Sequence, residues 1–459
     1  MKSSALIAAA LLFLTLAALG KPAAAQEQPR RLADSLTTVY ENADGEAESS
    51  SAAGFDPDTA GLEDYLAYAA LHSPSLRVAF HEWKAALEKT GYAGALPDPR
   101  FSYSYFIESV ETRVGPQIQA LKLQQAIPWF GTLGARKDIS VEAASVSYQK
   151  YEAAKLELFY EVKSVYYEFF YLGRAIAITR DNLELLKFWE AVARAKYRVA
   201  LSQHPDVIKA QVELGKLEDR LHTLEDVIVP VSAQLKAIAN LPDSLDLPLP
   251  GGISVAEAAV ERDSVYTYVL ANNPDLKSLL HAVERGRAGK RLAGKESYPD
   301  LVVGVGYINV GDALDPGMPD SGKDAWTATV GITLPIWFGA NKSRRQEADA
   351  RYRQAQYSHA DALNRLRAMT EKIVFEYEDA LRKTLLYRDG LVPKAEQSLN
   401  ANYTAYQAGE ADFLNLLDAQ RQLLDFQLQF ERSRSNLAIR RAEIEMIAGT
   451  DSFFAAVGE

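Results

Sequence analysis

Side chains able to do chemistry are scarce in this chain, and their spacing does not suit it. There is no cysteine, so disulfides, thiolate metal sites and thiol nucleophiles are excluded. The six histidines are His72, His81, His204, His222, His281 and His359, and none has a partner at metal-ligand spacing. His72 and His81 do not share a helical face. The four methionines do not cluster. The VGVG around Gly304 and Gly306 lacks the third glycine and the following helix of a nucleotide-binding loop. Neither a nucleophile elbow nor HExxH occurs. The chain is expected to be no enzyme, with no cofactor and no metal centre.

The informative patterns instead occur twice. Residues 127–137 read IPWFGTLGARK, and residues 334–345 read LPIWFGANKSRR. Each is an apolar strand end, a proline, an aromatic pair, a glycine and a basic run opening a helix. HSPSLRVAFHEWKAA (72–86) is echoed by NNPDLKSLLHAVERG (272–286). YRVALSQHPDVIKAQVEL (197–214) lies without a gap over YQAGEADFLNLLDAQRQL (406–423). Corners, helix starts and turns repeat in the same order, which indicates an internal duplication.

The elements that must carry these motifs follow from periodicity. Residues 1–25, with Lys2, an apolar run and Ala23-Ala24-Ala25, read as a secretory signal peptide. Residues 26–60, polar and acidic, read as a flexible N-terminal segment. The first repeat covers 61–240 and the second 253–449, joined by the Pro-rich linker 241–252 and followed by a tail, 450–459. Each repeat has two alternating segments, about 101–110 and 116–127, then 300–310 and 325–336. In the last, Trp326, Ala328, Val330, Ile332 and Leu334 share an apolar face, while Thr327, Thr329, Gly331 and Thr333 form a small polar one. A lipid-facing row beside a wet row is what a transmembrane barrel wall requires. Four strands cannot close a barrel, for which about eight is the minimum. An open sheet edge in lipid is not tolerated. Several chains must therefore pool strands, and three chains give twelve.

The corners then mark where strand becomes helix. Proline ends the ladder, glycine permits the turn, and Trp129, Phe130, Trp326, Trp337 and Phe338 are expected at the membrane interface. The basic run, Arg136 and Lys137 or Lys342, Arg344 and Arg345, falls where headgroups would lie. Residues 131–201, with hardly a breaker, would span roughly 100 Å as one helix. Such helices are sustained by coiled-coil packing. The formal charge of −11 offers no footprint for nucleic acid.

On these corners, helix starts and turns, residues 61–449 resemble the TolC-like outer-membrane efflux proteins, closest in appearance to the channels of metal and multidrug tripartite pumps. The resemblance implies a mainly α protein with a transmembrane β-barrel part. It would be a homotrimer sharing a twelve-stranded barrel in the outer membrane, with a long-helix α-barrel in the periplasm. Function would be that of a passive exit duct for substrates such as metal cations or drugs, joined to a periplasmic adaptor and an inner-membrane resistance-nodulation-division (RND) transporter. A type I secretion duct fed by an ABC exporter is the alternative; a periplasmic coiled-coil scaffold is the third. The helix-turn-helix tips would meet the adaptor through Val199, Ala200, Leu201 and Ser202 and through Ala408, Gly409 and Glu410. Asp418 matches an acidic position of the family's closed aperture, Asn415 stands where some members have a second aspartate, and Asp412 is close enough to contribute.

Overall fold

The computed structural model describes residues 27–49, 55–199, 203–450 and 453–454. The signal-peptide reading of residues 1–25 lies outside them. The element order is α1 (Glu27–Ser49), α2 (Leu62–His72), α3 (Pro74–Tyr92), β1 (Arg100–Thr112), β2 (Gly115–Ile127), α4 (Thr132–Arg198) and α5 (His204–Ala239). The plan then recurs as α6 (Arg262–Asn272), α7 (Pro274–Lys295), β3 (Leu301–Val310), β4 (Ala325–Ile332), α8 (Phe338–Leu386), α9 (Val392–Ala408) and α10 (Phe413–Ala448). Among the described residues the chain is mainly helical with one antiparallel four-stranded sheet, ordered β1-β2-β3-β4. Among the described residues no helix is long and apolar enough to cross a membrane.

The described residues divide into two compact units, one drawn from 27–80, 150–275 and 363–454, the other from 81–149 and 276–362. The first is helical. One of its cores gathers Leu186, Trp189, Ala193, Val207, Ala210, Tyr406, Phe413 and Leu417. The other gathers Val265, Val269, Ile373, Tyr377, Ile444 and Ala448. Two ion pairs join these helices: the shielded Lys163 and Glu445 meet at 2.6 Å, and the half-exposed Arg174 meets the buried Glu431 at 2.9 Å. The second unit holds the sheet, with Trp83 against Tyr148 (5.0 Å) and Arg291 on Asp138 (2.9 Å) among its helices.

Both repeats place proline at the start of their second helix, with the preceding residue extended (Ser73 ψ 121°, Asn273 ψ 122°), because proline disfavours the helical region for its predecessor. Both also close on a left-handed residue, Asn240 (φ 58°) and Gly449 (φ 78°). Asn240 uses its side chain, donating from Nδ2 to His72 O at 3.1 Å. Gly449 cannot carry one, since a Cβ there would stand 2.5 Å from Asn272 O. Gly449→Ala combines a strained φ with a backbone clash. It is expected to cost about 2 kcal/mol or more, read as a lower midpoint in denaturant unfolding.

Within the segment expected to be flexible, residues 27–49 differ from the sequence reading. Glu27–Ser49 is helical and buries Ala33, Leu36, Tyr40 and Ala43, a sparse stripe at helical spacing. Tyr40 packs edge-on against Phe80 at 5.0 Å, its hydroxyl lies 3.4 Å from that of Tyr151, and Arg77 holds Asp44 at 2.5 Å. Burial pushes the Tyr40 phenol up. An acidic average composition hid four residues that matter. The long second-repeat helix also differs: a π-turn at Tyr387–Leu391 interrupts it ahead of Pro393, and it turns at Gly409.

Candidate functional site

The sheet has two chemically distinct faces, and register fixes them. Phe101 pairs with Leu123, which pairs with Val305, which pairs with Ala328; Tyr103 leads in the same way to Leu121, Tyr307 and Trp326. Val303 and Val330 continue this face. Phe101, Tyr103, Val305, Trp326 and Val330 are all exposed. From Leu301 to Tyr307 the apolar band rises through six residue steps, about 20 Å of strand. That approaches the ~25 Å band of a lipid-embedded barrel. The opposite face is small and polar. Ser102, Lys122, Gly306 and Thr327 form one cross-sheet row; Arg100, Gln124, Gly304 and Thr329 form the next. Among the described residues both outer strands, β1 and β4, have one neighbour only.

The two aromatic corners are built differently. After β2, Gly131 takes φ 78°, a left-handed turn that suits glycine. The backbone N–H of Trp129 donates to Asp300 Oδ1 at 2.8 Å and its ring stacks on Tyr298 at 5.1 Å, while Lys295 Nζ donates to Phe130 O at 3.2 Å. Trp129 is therefore half-buried, and Phe130 is the freely exposed member of the pair. After β4 the chain leaves the ladder at Ile332, four residues before the expected end, and Thr333 N–H is held by Asp300 O at 2.9 Å. Gly339 already lies inside α8 and needs no positive φ. Trp337 and Phe338 are exposed, as is Trp326, tilted against Tyr307 at 5.2 Å.

The two helix-turn-helix tips belong to the helical unit. In the first, Val199 is exposed, Gln203 is extended at the start of α5, and the Tyr197 ring lies 5.2 Å from that of His204. Ala200, Leu201 and Ser202 lie outside the described residues. In the second, Ala408 ends α9 and Gly409 takes φ 79°. The N–H of Glu410 bonds Ala405 O at 2.9 Å, closing the helix by the glycine-type cap. Asp412 is the extended residue before α10, and Phe413 is buried beneath it against Tyr406. Lys196 ties the tips together: Nζ donates to Tyr406 O at 2.6 Å and stands 4.0 Å above the Tyr406 ring.

Asp412, Asn415 and Asp418 are exposed at three-residue spacing along one side of α10. Asp418 is not an isolated carboxylate. Arg421 reaches it at 3.1 Å, and the same guanidinium grips Glu213 of α5 with Nη2–Oε1 2.5 Å and Nε–Oε2 3.0 Å. Lys216 adds a contact to Glu213 at 2.9 Å. The sequence reading singled out Asp418 and missed both partners, although the DAQR spacing carried a signal for Arg421. Only the tertiary fold selects Glu213 from many surface glutamates.

The hydrogen bonds from Arg421, against the opposing effect of burial, hold the Glu213 carboxyl below its ordinary 4.5. A depressed carboxyl contributes stability that is present above the unfolded value and lost as pH falls through the folded one. Glu213→Gln should therefore lower the unfolding midpoint at pH about 6, and the gap to the parent should close only below pH about 4.5. Thermal melts of both proteins across that range check this.

Among the described residues, no group of three or more His, Asp and Glu converges as metal ligands would. The family model "Outer membrane efflux protein" matches residues 66–241 and 265–450, one segment in each repeat. Nodulation protein T of Rhizobium leguminosarum bv. trifolii is 21% identical over 378 residues, covering 78% of each chain. Toxin and drug export protein A of Aggregatibacter actinomycetemcomitans is 25% identical over 218 residues, and the match spans 45% of its length and 45% of this chain. Among solved structures, the outer membrane protein VceC of Vibrio cholerae superposes with a TM-score of 0.70 at 20% identity, covering 85% of this chain and 96% of that one.

Proposed function

Because the chain belongs to the outer membrane efflux protein family, whose members are channels and not enzymes, we propose that it is the exit duct of a tripartite pump. In this reading three copies pool their sheets into one barrel in the outer membrane. The apolar row of Phe101, Val305 and Trp326 faces lipid, and the row of Ser102, Gly306 and Thr327 faces water. The single observation that carries this is the two-faced sheet with both edges open, since such a sheet is stable in lipid only when neighbouring copies close it.

The helical portion extends into the periplasm. The tips at Val199, residues 200–202, Ala408, Gly409 and Glu410 meet a periplasmic adaptor, which joins the duct to an inner-membrane RND transporter. Asp418, with Asn415 and Asp412, lines the aperture, and Arg421 on Glu213 holds it closed. Trp326, Trp337, Phe338 and Phe130 anchor the membrane boundary. The relative named for toxin and drug export supports an export role. An ABC exporter feeding the same duct is the other reading.

Crosslinking in intact membranes, followed by capture and mass spectrometry of the partners, tests this. Recovery of an RND transporter with its adaptor is expected. Recovery of an ABC exporter would move the protein to secretion, and finding it outside the outer membrane would remove the duct reading altogether.

A further inference from the structure

On two adjacent cross-strand rows, where the register is unbroken, the small-residue side of the sheet carries charge of one sign. The ionic residues of those two rows are Arg100 and Lys122, both exposed. They occupy adjacent cross-strand rows, Arg100 opposite Gln124 and Lys122 opposite Ser102. Among the described residues neither forms an ion pair. The rest of those rows is neutral and small: Gly304 and Thr329 beside Gln124, Gly306 and Thr327 beside Lys122.

The glycines make room for the long side chains. A Cβ at Gly306 would lie 3.5 Å from Lys122 Cγ and 2.5 Å from Thr327 Oγ1, and one at Gly304 would lie 2.9 Å from Gln124 Cγ. The stems of Lys122 and Gln124 thus lie across the sheet over glycine. The acids of the strands and of the turn before β4 lie outside these two rows. Glu111 sits at the β1–β2 hairpin, past the irregularity between Tyr105 and Val110, and Glu108 lies within that irregularity. Asp324, before β4, is held by Tyr307 Oη at 2.5 Å and by the Val310 N–H at 2.9 Å. A lysine or arginine on the lipid side of a barrel is strongly disfavoured, whereas lumen charges tune selectivity. The positions of Arg100 and Lys122 thus agree with the apolar row facing outward.

We infer that Arg100 and Lys122 make the barrel wall an anion-favouring sleeve and are its specificity-determining residues. The cargo that passes this stage most readily is anionic or zwitterionic, and bare metal cations are disfavoured there. Two cations per protomer repeated around one axis lower the barrier for anions and raise it for cations. Their field is screened beyond about 10 Å at 0.1 M salt and about 3 Å at 1 M. This inference rests on the duct reading, because it takes the small-residue face as the lumen.

The test is a reversal-potential measurement on the full-length protein in planar lipid bilayers under a potassium chloride gradient. Parent and Arg100→Gln/Lys122→Gln are compared, both first shown to form the same heat-resistant oligomer. The double substitution should raise the potassium-to-chloride permeability ratio roughly threefold at 0.1 M, with a smaller change at 1 M. Lys122→Glu should move the ratio further the same way. Conducting channels whose ratio is unchanged in all variants would overturn the sleeve and leave the duct standing. Absence of any conductance from both the parent and its Arg421→Glu variant would overturn the duct reading itself.

Discussion

Arg421→Glu should open the resting aperture. Arg421 bridges Asp418 on α10 with Glu213 on α5, and its contact with Glu213 uses two nitrogens and both carboxylate oxygens. Glu213 is well shielded, with 13% of its side chain exposed, while Arg421 is 46% exposed. Hydrogen bonds to charged groups contribute about 1.5–3 kcal/mol each way of counting, and the half-exposed guanidinium lowers that through solvent screening. A net loss of about 1–2 kcal/mol corresponds to roughly a five- to thirtyfold shift between closed and open forms. Charge reversal adds repulsion by placing a third carboxylate beside Glu213 and Asp418. Single-channel conductance at rest should rise, and cells carrying the variant should become sensitive to bulky antibiotics. Arg421→Lys keeps the charge but loses the two-pronged geometry, so it should fall between parent and Arg421→Glu. Adding Glu213→Arg to Arg421→Glu should restore much of the closure. Unchanged conductance in Arg421→Glu would show that this bridge does not hold the aperture.

Ala328→Arg should prevent assembly in the outer membrane, while its neighbour Thr329→Arg should assemble. Ala328 pairs with Val305 in the middle of the apolar band, between Trp326 and Val330; Thr329 pairs with Gly304 on the small-residue face. Arginine near the middle of a lipid-facing strand costs about 2–4 kcal/mol, repeated in every protomer, whereas an arginine in a water-filled lumen keeps its hydration. The readout is the heat-resistant oligomer in outer-membrane fractions on gels. The reverse pattern would invert the inside-outside assignment of the sheet. Equal tolerance of both would mean that the sheet does not stand in lipid, and the duct reading would fall with it.

Much of this molecule is legible in its sequence because its physics is periodic and is repeated. Alternation along residues 325–332 sets two faces whatever the strand pairs with, because successive side chains of a strand point to opposite sides. Duplication makes each motif visible twice. The paired corners, the Pro74 and Pro274 helix starts and the two tips identify the family from order and spacing alone. The strand count likewise requires neighbouring copies once the sheet is placed in lipid. Cysteine absence and scattered histidines exclude whole classes of chemistry before any coordinates exist.

Other features were decided only in three dimensions, each because its partner lies far along the chain. Helix α1 rests on Phe80, Arg77 and Tyr151; four apolar residues in an acidic stretch gain their packing partners only from that distant surface. The two WFG corners look alike as text, yet Asp300 and Lys295 shape the first one, and the second starts its helix before the glycine is reached. Asp418 was visible as an acid at a tip. That it shares Arg421 with Glu213, 205 residues away in sequence, follows from the packing of α10 against α5. Local sequence determined which elements form and which faces they present. Tertiary structure decided which distant charges meet, because ion pairing depends on distances that only the packed helices set.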